Sequence, residues 1–279
     1  MSVKHADLHL HTHFSDGTWS PEELAGHAAE QGLDAVSLTD HDSVEGCPRM
    51  AAACGARGIE FIPGAELTAE VDGQEVHVLG YWLDTSSQPL LSELQRFQGV
   101  RQRRVKEMVT RLNESGVGLS EELVRSIANC EAPGRLHVAR ALVQQGYARD
   151  HDHAFERFLR RGRPGFVPKA RMTAAEAVSL IHRAGGVAVL AHPGLYRNDS
   201  LIPRLKEAGA DGLECWHTRH SEEDAARFTQ KAADLDLVAT GGSDCHGMAK
   251  GHPLIGRIRL PYSQVEALRE RRPASAAAS

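Results

Sequence analysis

The sequence predicts an α/β fold: a closed or nearly closed barrel of alternating strands and helices, interrupted by one helical insertion. Three observations lead there. Strand and helix signals alternate over the first hundred residues and resume after about residue 173. The stretch between, about 90 to 162, reads as helix throughout. Histidine and carboxylate residues recur at one place in the repeating units, at or just after a strand end. Repeated strand–helix units favour parallel strands, and about seven of them suit a barrel better than two separate sheets.

The first strand is read at 5–11, where Leu8 and Leu10 alternate with His9 and His11. A strand has a side-chain period of two, so both imidazoles leave one face and both leucines the other. Ser20-Pro21-Glu22-Glu23 then starts a helix, with Ser20 as N-cap, Pro21 at the first helical position and Glu23 completing a capping box. That helix runs to Gly32. Ala35–Leu38 is a strand leading into Thr39-Asp40-His41-Asp42. A helix fits about 48–57, stopped by Gly58. Ile59–Ile62 is a third strand ending at Pro63-Gly64-Ala65-Glu66, and Glu75–Tyr81 alternates as a fourth.

Arg163-Pro164-Gly165-Phe166-Val167-Pro168 closes the helical stretch as a loop. A helix follows at about 173–184, ended by Gly185-Gly186. Val187–Leu190 leads to His192, and Gly212–Trp216 leads to His217. A helix at about 221–235 precedes Leu237–Thr240, which leads to Gly241-Gly242-Ser243-Asp244-Cys245-His246. Ile255–Ile258 is read as a last strand, and the small, polar tail from Pro273 as lacking fixed structure.

The chain has 279 residues, 41% hydrophobic and 25% charged, which is ordinary globular composition. No apolar run approaches the roughly 20 residues that span a bilayer. The first residues lack the basic and apolar regions of a secretory signal. A cytoplasmic location without membrane association is therefore expected. The five cysteines are scattered and form no CxxC pair, so neither a disulfide framework nor a thiolate zinc site is indicated. No GxxxxGK[ST] loop and no Ser/His/Asp or Cys/His nucleophile arrangement stands out. Net charge is −5, yet residues 99–171 hold 15 Lys/Arg against 8 Asp/Glu, a local excess of +7. Such a basic segment in an acidic protein marks a landing place for an anion.

His9, His11, Asp16, His41, Glu66, His77, His192, Asp244 and His246 come from separate units, yet a barrel gathers its C-terminal strand ends at one face. Their convergence would make a nitrogen- and oxygen-rich divalent-metal centre. His5, His27, His151, His153, His182, His220 and His252 have no such partners and read as surface residues. His13 and His217 are intermediate.

Asp7-x-His9-x-His11-Thr12, Ser15-Asp16-Gly17, Thr39-Asp40-His41-Asp42, Pro63-Gly64-Ala65-Glu66, His77, Ala191-His192-Pro193 and Ser243-Asp244-x-His246 together resemble the PHP (polymerase and histidinol phosphatase) family. Within it, the nearest resemblance is to bacterial 3′,5′-nucleoside bisphosphate phosphatases, which carry a similar helical insertion. The resemblance implies a distorted (β/α)7 barrel over 1–98 and 170–279, with 99–169 as a helical insertion domain covering the active site. It implies up to three metal ions. One would be held by His9, His11, Glu66 and Asp244. A second would be bridged by Glu66 and held by His77 and His192. A third would be held by Asp16, His41 and His246. Manganese is the expected ion, since carboxylate and imidazole mix in the set and the family often uses it.

Clustered divalent ions activate a bridging water and neutralise phosphate oxygens. The expected reaction is removal of the 3′-phosphate from a nucleoside 3′,5′-bisphosphate. Arg135, His137 and Lys169 are expected to hold the non-reacting phosphate, because Arg forks onto phosphate and Lys supplies a point charge. His217 and Asp40 are the candidate proton donors, beside metal-bound water. The same centre could act 5′-to-3′ on short RNA, as some relatives do, although aromatics at 5% give little support for an extended stacking surface. A non-catalytic metal-binding module and an amidohydrolase are the other readings. A small nucleotide or a short RNA is the expected partner, with no obligate protein partner.

Overall fold

The structure is a computed structural model that describes residues 3–131, 133–168, 171–249 and 251–273. Lys169 and the tail from 274 lie outside the described residues. Strands β1 (His5–Asp7), β2 (Ala35–Leu38) and β3 (Glu60–Val71) pair in parallel. Between them lie α1 (Pro21–Glu30) and α2 (Cys47–Gly55). Ser20 and Glu23 form the capping box read from the sequence: each side chain accepts from the other's backbone N–H, at 3.2 and 2.7 Å.

The run of parallel strands then breaks. β4 (Gln74–Tyr81) returns antiparallel along β3, and β6 (Val187–Leu190) is antiparallel to β4. All-parallel pairing, expected from the strand–helix rhythm, fails here because Asp72-Gly73 makes a two-residue hairpin. Both residues have positive φ, 50° and 80°, the conformation of the tight turn that matches strand twist. The hairpin also carries β3 on to Val71, so Glu66 lies inside the strand instead of just beyond it.

Chain connections after β4 are helical. α3 (Gln88–Glu114), α4 (Glu121–Ala128), α5 (Arg135–Gln144), α6 (His151–Ala154) and a π-helical turn (Phe155–Leu159) lead to the two-residue β5 (Met172–Thr173), which pairs with β3. Leu90, Leu94 and Phe97 of α3 belong to the barrel's core. Val105, Met108 and Leu112 of the same helix belong to a second core shared with α4 and α5.

α7 (Ala174–Arg183) precedes β6, α8 (Leu201–Glu207) precedes β7 (Gly212–His217), and α9 (Glu222–Asp234) precedes β8 (Val238–Gly242). β6, β7 and β8 pair in parallel. The residues read as a last strand, 255–258, form turns; the strand is β9 (Leu260–Pro261), antiparallel to β1, followed by α10 (Tyr262–Arg269). No helix among the described residues is long and apolar enough to cross a membrane.

The sheet runs β8-β7-β6-β4-β3-β2-β1-β9 and nearly closes between β1 and β8. The Leu8 N–H donates to the Gly241 carbonyl at 3.3 Å, Leu10 bridges to Cys245, and the Ser243 N–H donates to Asp7 Oδ1 at 2.8 Å. Regular strand geometry in β1 stops at Asp7, short of the expected 11. The alternation persists nonetheless: Leu8 and Leu10 pack into apolar clusters, while the rings of His9 and His11 are packed 5.1 Å apart.

Gly242 sits at this seam. A Cβ there would lie 2.2 Å from the Cβ of His9 and 2.5 Å from its backbone nitrogen. Gly242→Ala is therefore expected to push β1 from β8 and destabilise the fold by about 2 kcal/mol or more in urea unfolding. Gly58→Ala, whose Cβ meets nothing within 4 Å at φ +69°, is expected to cost about 1 kcal/mol from backbone strain alone. Equal losses in the two variants would show that the seam is not close-packed.

Candidate metal centre

Glu66 is the centre of the barrel mouth. Residues just past β2 run beside β3, so His41 bridges to Glu66 and the Asp42 N–H donates to the Glu66 carbonyl at 3.0 Å. The carboxylate is buried and meets imidazoles on both oxygens. Oε2 lies 3.4 Å from Nε2 of both His9 and His11 and 3.0 Å from Nδ1 of His41. Oε1 lies 2.7 Å from His77 Nδ1 and 3.0 Å from His192 Nε2.

Asp244 completes a tight set with His9 and His11, its Oδ1 lying 3.6 and 3.3 Å from their Nε2 atoms. Asp16 Oδ1 is 3.1 Å from His246 Nε2, and its Oδ2 is 3.9 Å from His41 Nε2. The structure thus brings together all nine residues singled out from the sequence, in four overlapping groups each compact enough for a metal ion.

Two observations test whether a divalent ion suits these groups. First, bond lengths of about 2.1 Å in a tetrahedral site put ligand atoms about 3.4 Å apart, close to the separations among His9, His11, Glu66 and Asp244. Second, His9 Nε2, His11 Nε2 and Glu66 Oε2, which face one another, are buried with no hydrogen-bond partner. Buried polar atoms are normally satisfied, so these converging atoms fit a shared cation.

The electrostatics agree. Burial would neutralise the Glu66, Asp16 and Asp244 carboxyls, but the surrounding histidines hold all three well below the ordinary carboxylate range. Burial pushes His41 down to about 3 and lowers His192. Ionised carboxylates beside neutral imidazoles are the protonation states that metal binding requires. His9 departs from this: burial opposes its charge, yet Glu214 and Glu66 raise it well above its usual value, marking strong negative potential at the centre.

Two residues at the site sit in left-handed backbone, His192 at φ +28° and Asp244 at φ +53°. Glu214, which the sequence reading passed over, supports the first. It is fully buried in β7. One oxygen lies 3.0 Å from His9 Nδ1 and the other accepts the His192 N–H at 2.6 Å. Such a carboxylate fixes the ring and leaves Nε2 facing the centre. The overlooked signal was a charged residue within an apolar strand, Leu213-Glu214-Cys215.

The expected proton donors separate. His217 is buried at the end of β7, its Nδ1 accepting the Arg219 N–H at 3.1 Å; Nε2 lies 3.5 Å from Asp244 Oδ2. Nε2 therefore carries the proton of the neutral ring and faces the centre as a donor. Asp40 does not fit a proton donor. Its oxygens accept from the Thr12 N–H, the Thr12 hydroxyl and the Ser15 hydroxyl at 2.8, 2.6 and 2.6 Å. It fastens the loop that carries Asp16. His220, read as a surface residue, is half-buried and accepts the Gly194 N–H at 3.1 Å.

A cavity of about 190 Å³ separates the barrel mouth from the insertion. Asp16, His41 and His77 line it on one side, and Arg101, Arg104 and Arg135 on the other. Arg135 stands at the first position of α5, stacked on Phe155 with its guanidinium carbon 5.9 Å from the ring centre. His137 lines the same cavity: Nδ1 accepts the Gly134 N–H at 3.0 Å, and burial lowers its pKa to about 4. A ring kept neutral in this way adds no charge for a phosphate, which weakens the expectation that it binds one. Arg101 and Arg104 were not singled out from the sequence, because nothing in an Arg-rich helix marks which face meets a cavity.

Barrel, centre and cationic wall together define a metal-dependent phosphoesterase. The chain belongs to the PHP domain family, whose sequence pattern matches residues 7–160. It is 35% identical over 256 residues to the 3′,5′-nucleoside bisphosphate phosphatase of Chromobacterium violaceum, covering 90% of each chain. It is 34% identical over 252 residues to a 5′-3′ exoribonuclease of Haemophilus influenzae, covering 88% of this chain and 90% of that one. The solved structure of a proposed metal-dependent phosphoesterase from Bifidobacterium adolescentis superposes with a TM-score of 0.88 at 31% identity, over 98% of both chains.

Glu214→Gln keeps the side chain's shape but cannot accept at both oxygens. It is expected to weaken divalent-metal binding about 10- to 100-fold, read by calorimetric titration of chelator-stripped protein with Mn²⁺. Unchanged affinity would remove the orienting role. Chelation of the wild type is expected to lower its melting temperature, since an ion bound only by the folded state stabilises it.

Proposed function

We propose that the chain removes the 3′-phosphate from nucleoside 3′,5′-bisphosphates, converting pAp to AMP and phosphate. The observation that carries this reading is the shared cavity: a wall of metal-ligand residues faces a wall of guanidinium groups. A substrate with one reacting and one non-reacting phosphate suits both walls at once. The named activity of the Chromobacterium violaceum relative supports the same reading.

We assign up to three ions, with Mn²⁺ as the metal. His9, His11, Glu66 and Asp244 would hold one, Glu66, His77 and His192 a second, and Asp16, His41 and His246 a third. Bound there, such ions lower the pKa of a water and neutralise phosphate oxygens. The chain's own groups do the rest. Arg135 holds the non-reacting phosphate. Among the described residues it has no ion-pair partner, and it opens α5, where the first backbone N–H groups have no helical acceptor. Arg104 adds positive potential; burial first, then Arg135 and Arg101, lower its pKa to about 10. His217 hydrogen-bonds the leaving ribose oxygen through Nε2–H, which stabilises the negative charge that develops there, and solvent water supplies the proton that oxygen takes up. Five free thiols suit the reducing cytoplasm, where we place the protein.

A second reading is 5′-to-3′ hydrolysis of short 5′-phosphorylated RNA. A further cavity of about 460 Å³ favours it, since it continues past Asp16 and Leu136 to His246. It would give room to one further nucleoside beyond the reacting phosphate, while Asp150 and Asp152 on its wall oppose a longer run of phosphates, and the Haemophilus influenzae relative is named for this activity.

Metal-loaded protein offered pAp and a short 5′-phosphorylated RNA side by side is expected to release phosphate from pAp at the higher kcat/KM. Faster release of nucleotides from RNA would move the assignment to the second reading, and hydrolysis of neither would leave a non-catalytic metal module. Arg135→Ala is expected to raise KM for pAp about tenfold or more, with little change for a simple monophosphate ester. Equal losses on both esters would exclude Arg135 from binding the second phosphate.

A further inference from the structure

The two cavities at the barrel mouth meet at Asp16, Leu136 and Phe155. Their characters differ. The smaller sets Arg101, Arg104 and Arg135 against Asp16 and Glu75, whereas the larger has Asp150 and Asp152 on its wall and, among the described residues, no Lys or Arg. Carboxylates repel phosphate, so the larger cavity suits an uncharged part of the substrate. Phe155 is the one benzenoid ring among the described residues lining either cavity.

The local fold presents this ring. Phe155 opens the π-helical turn, where the Arg160 N–H donates to the Phe155 carbonyl at 2.9 Å. The widened turn puts Phe158 and Leu159 in the insertion's core and leaves Phe155 only partly buried against it. Single π turns in helices often mark functional sites. The guanidinium of Arg135 lies over the same ring, so the group assigned to phosphate and the apolar face are fixed together.

We propose that Phe155 is the stacking platform for the substrate's nucleobase, and that it makes the centre selective for nucleotides over base-free phosphate esters. The proposal rests on the nucleotide reading above. A base has an apolar face that stacks on an aromatic side chain whatever its edge pattern. With the base on Phe155, the ribose and its phosphates extend towards the metal-ligand wall and the arginines.

The test compares pAp with the abasic analogue 1,2-dideoxyribose 3,5-bisphosphate on the full, metal-loaded chain. Phe155→Ala is expected to raise KM for pAp about 5- to 100-fold, the usual loss of one base–aromatic stack, and to leave the abasic ester within about twofold. Phe155→Leu keeps apolar volume in the core and should show the same substrate-dependent loss. Phe155→Trp should retain tight pAp binding. Equal losses on both esters in Phe155→Leu would assign the ring to packing and overturn the proposal. Calorimetric binding of AMP supplies a readout free of turnover. If wild type hydrolyses neither ester, the functional reading fails, and equal AMP affinity in wild type and Phe155→Leu would then overturn the stacking role separately.

Discussion

One buried carboxylate, Glu66, lies between five imidazoles, and the barrel is built to keep it there. An ionised carboxylate removed from water costs several kcal/mol unless it is compensated. Here the compensation comes from His9, His11, His41, His77 and His192, contributed by β4 and by the segments following β1, β2 and β6. Loss of register in any of these elements would leave the charge exposed to an apolar wall. The antiparallel return of β4 belongs to this constraint. It places His77 opposite Thr68 in the strand that carries Glu66, close enough for the ring to reach Oε1.

The insertion depends on the same frame through the loop that carries Asp16. Asp40 anchors that loop from the barrel side. From the insertion side, Arg140 donates to the Asp16 carbonyl at 2.9 Å. Arg101 adds an ion pair of 2.6 Å to Asp42, which itself accepts the Thr68 N–H at 2.8 Å. The cationic wall is thereby held at a fixed distance from the metal-ligand residues. For a reaction between a bound phosphate and groups on the opposite wall, such fixed placement supplies the orientation that free solution lacks.

Much of this was legible in the chain because ligand chemistry limits residue choice. All nine His, Asp and Glu residues read from strand ends converge at the barrel mouth, and the helical run from about 90 is helical. What the sequence concealed follows from long-range packing. Glu66 looked terminal to its strand because Pro63-Gly64 reads as a break, whereas hairpin pairing carries β3 through it. Asp72-Gly73 did carry a local turn signal, and with it the reversal of β4. Glu214 could be assigned a partner only once β7 lay beside the β1 segment. His137 and Asp40 had suitable chemistry, but burial keeps the His137 ring neutral and the Asp40 oxygens are already bonded to backbone and hydroxyl groups, which composition cannot reveal. Ile255–Ile258 has the apolar character of a strand, yet β1 accepts β9 at Leu260 instead.

The strained residues show how folding energy is directed to the site. His192 and Asp244 adopt left-handed backbone, a conformation costing about 1–3 kcal/mol for a residue with a side chain. Neither is left to relax. The His192 N–H is bound by buried Glu214, and Asp244 lies between the Ser243 anchor to Asp7 and the Cys245 bridge to Leu10. These restraints are the bonds that close the barrel between β1 and β8 and join β6 to β7. The contacts that complete the fold are therefore the ones that turn His192 and Asp244 towards Glu66 and His9, so stability and ligand geometry are set by the same interactions. A centre held this way has little freedom to reshape itself around different esters. On the reading proposed above, selectivity among substrates then falls to the insertion, whose arginines and Phe155 lie outside the strained frame.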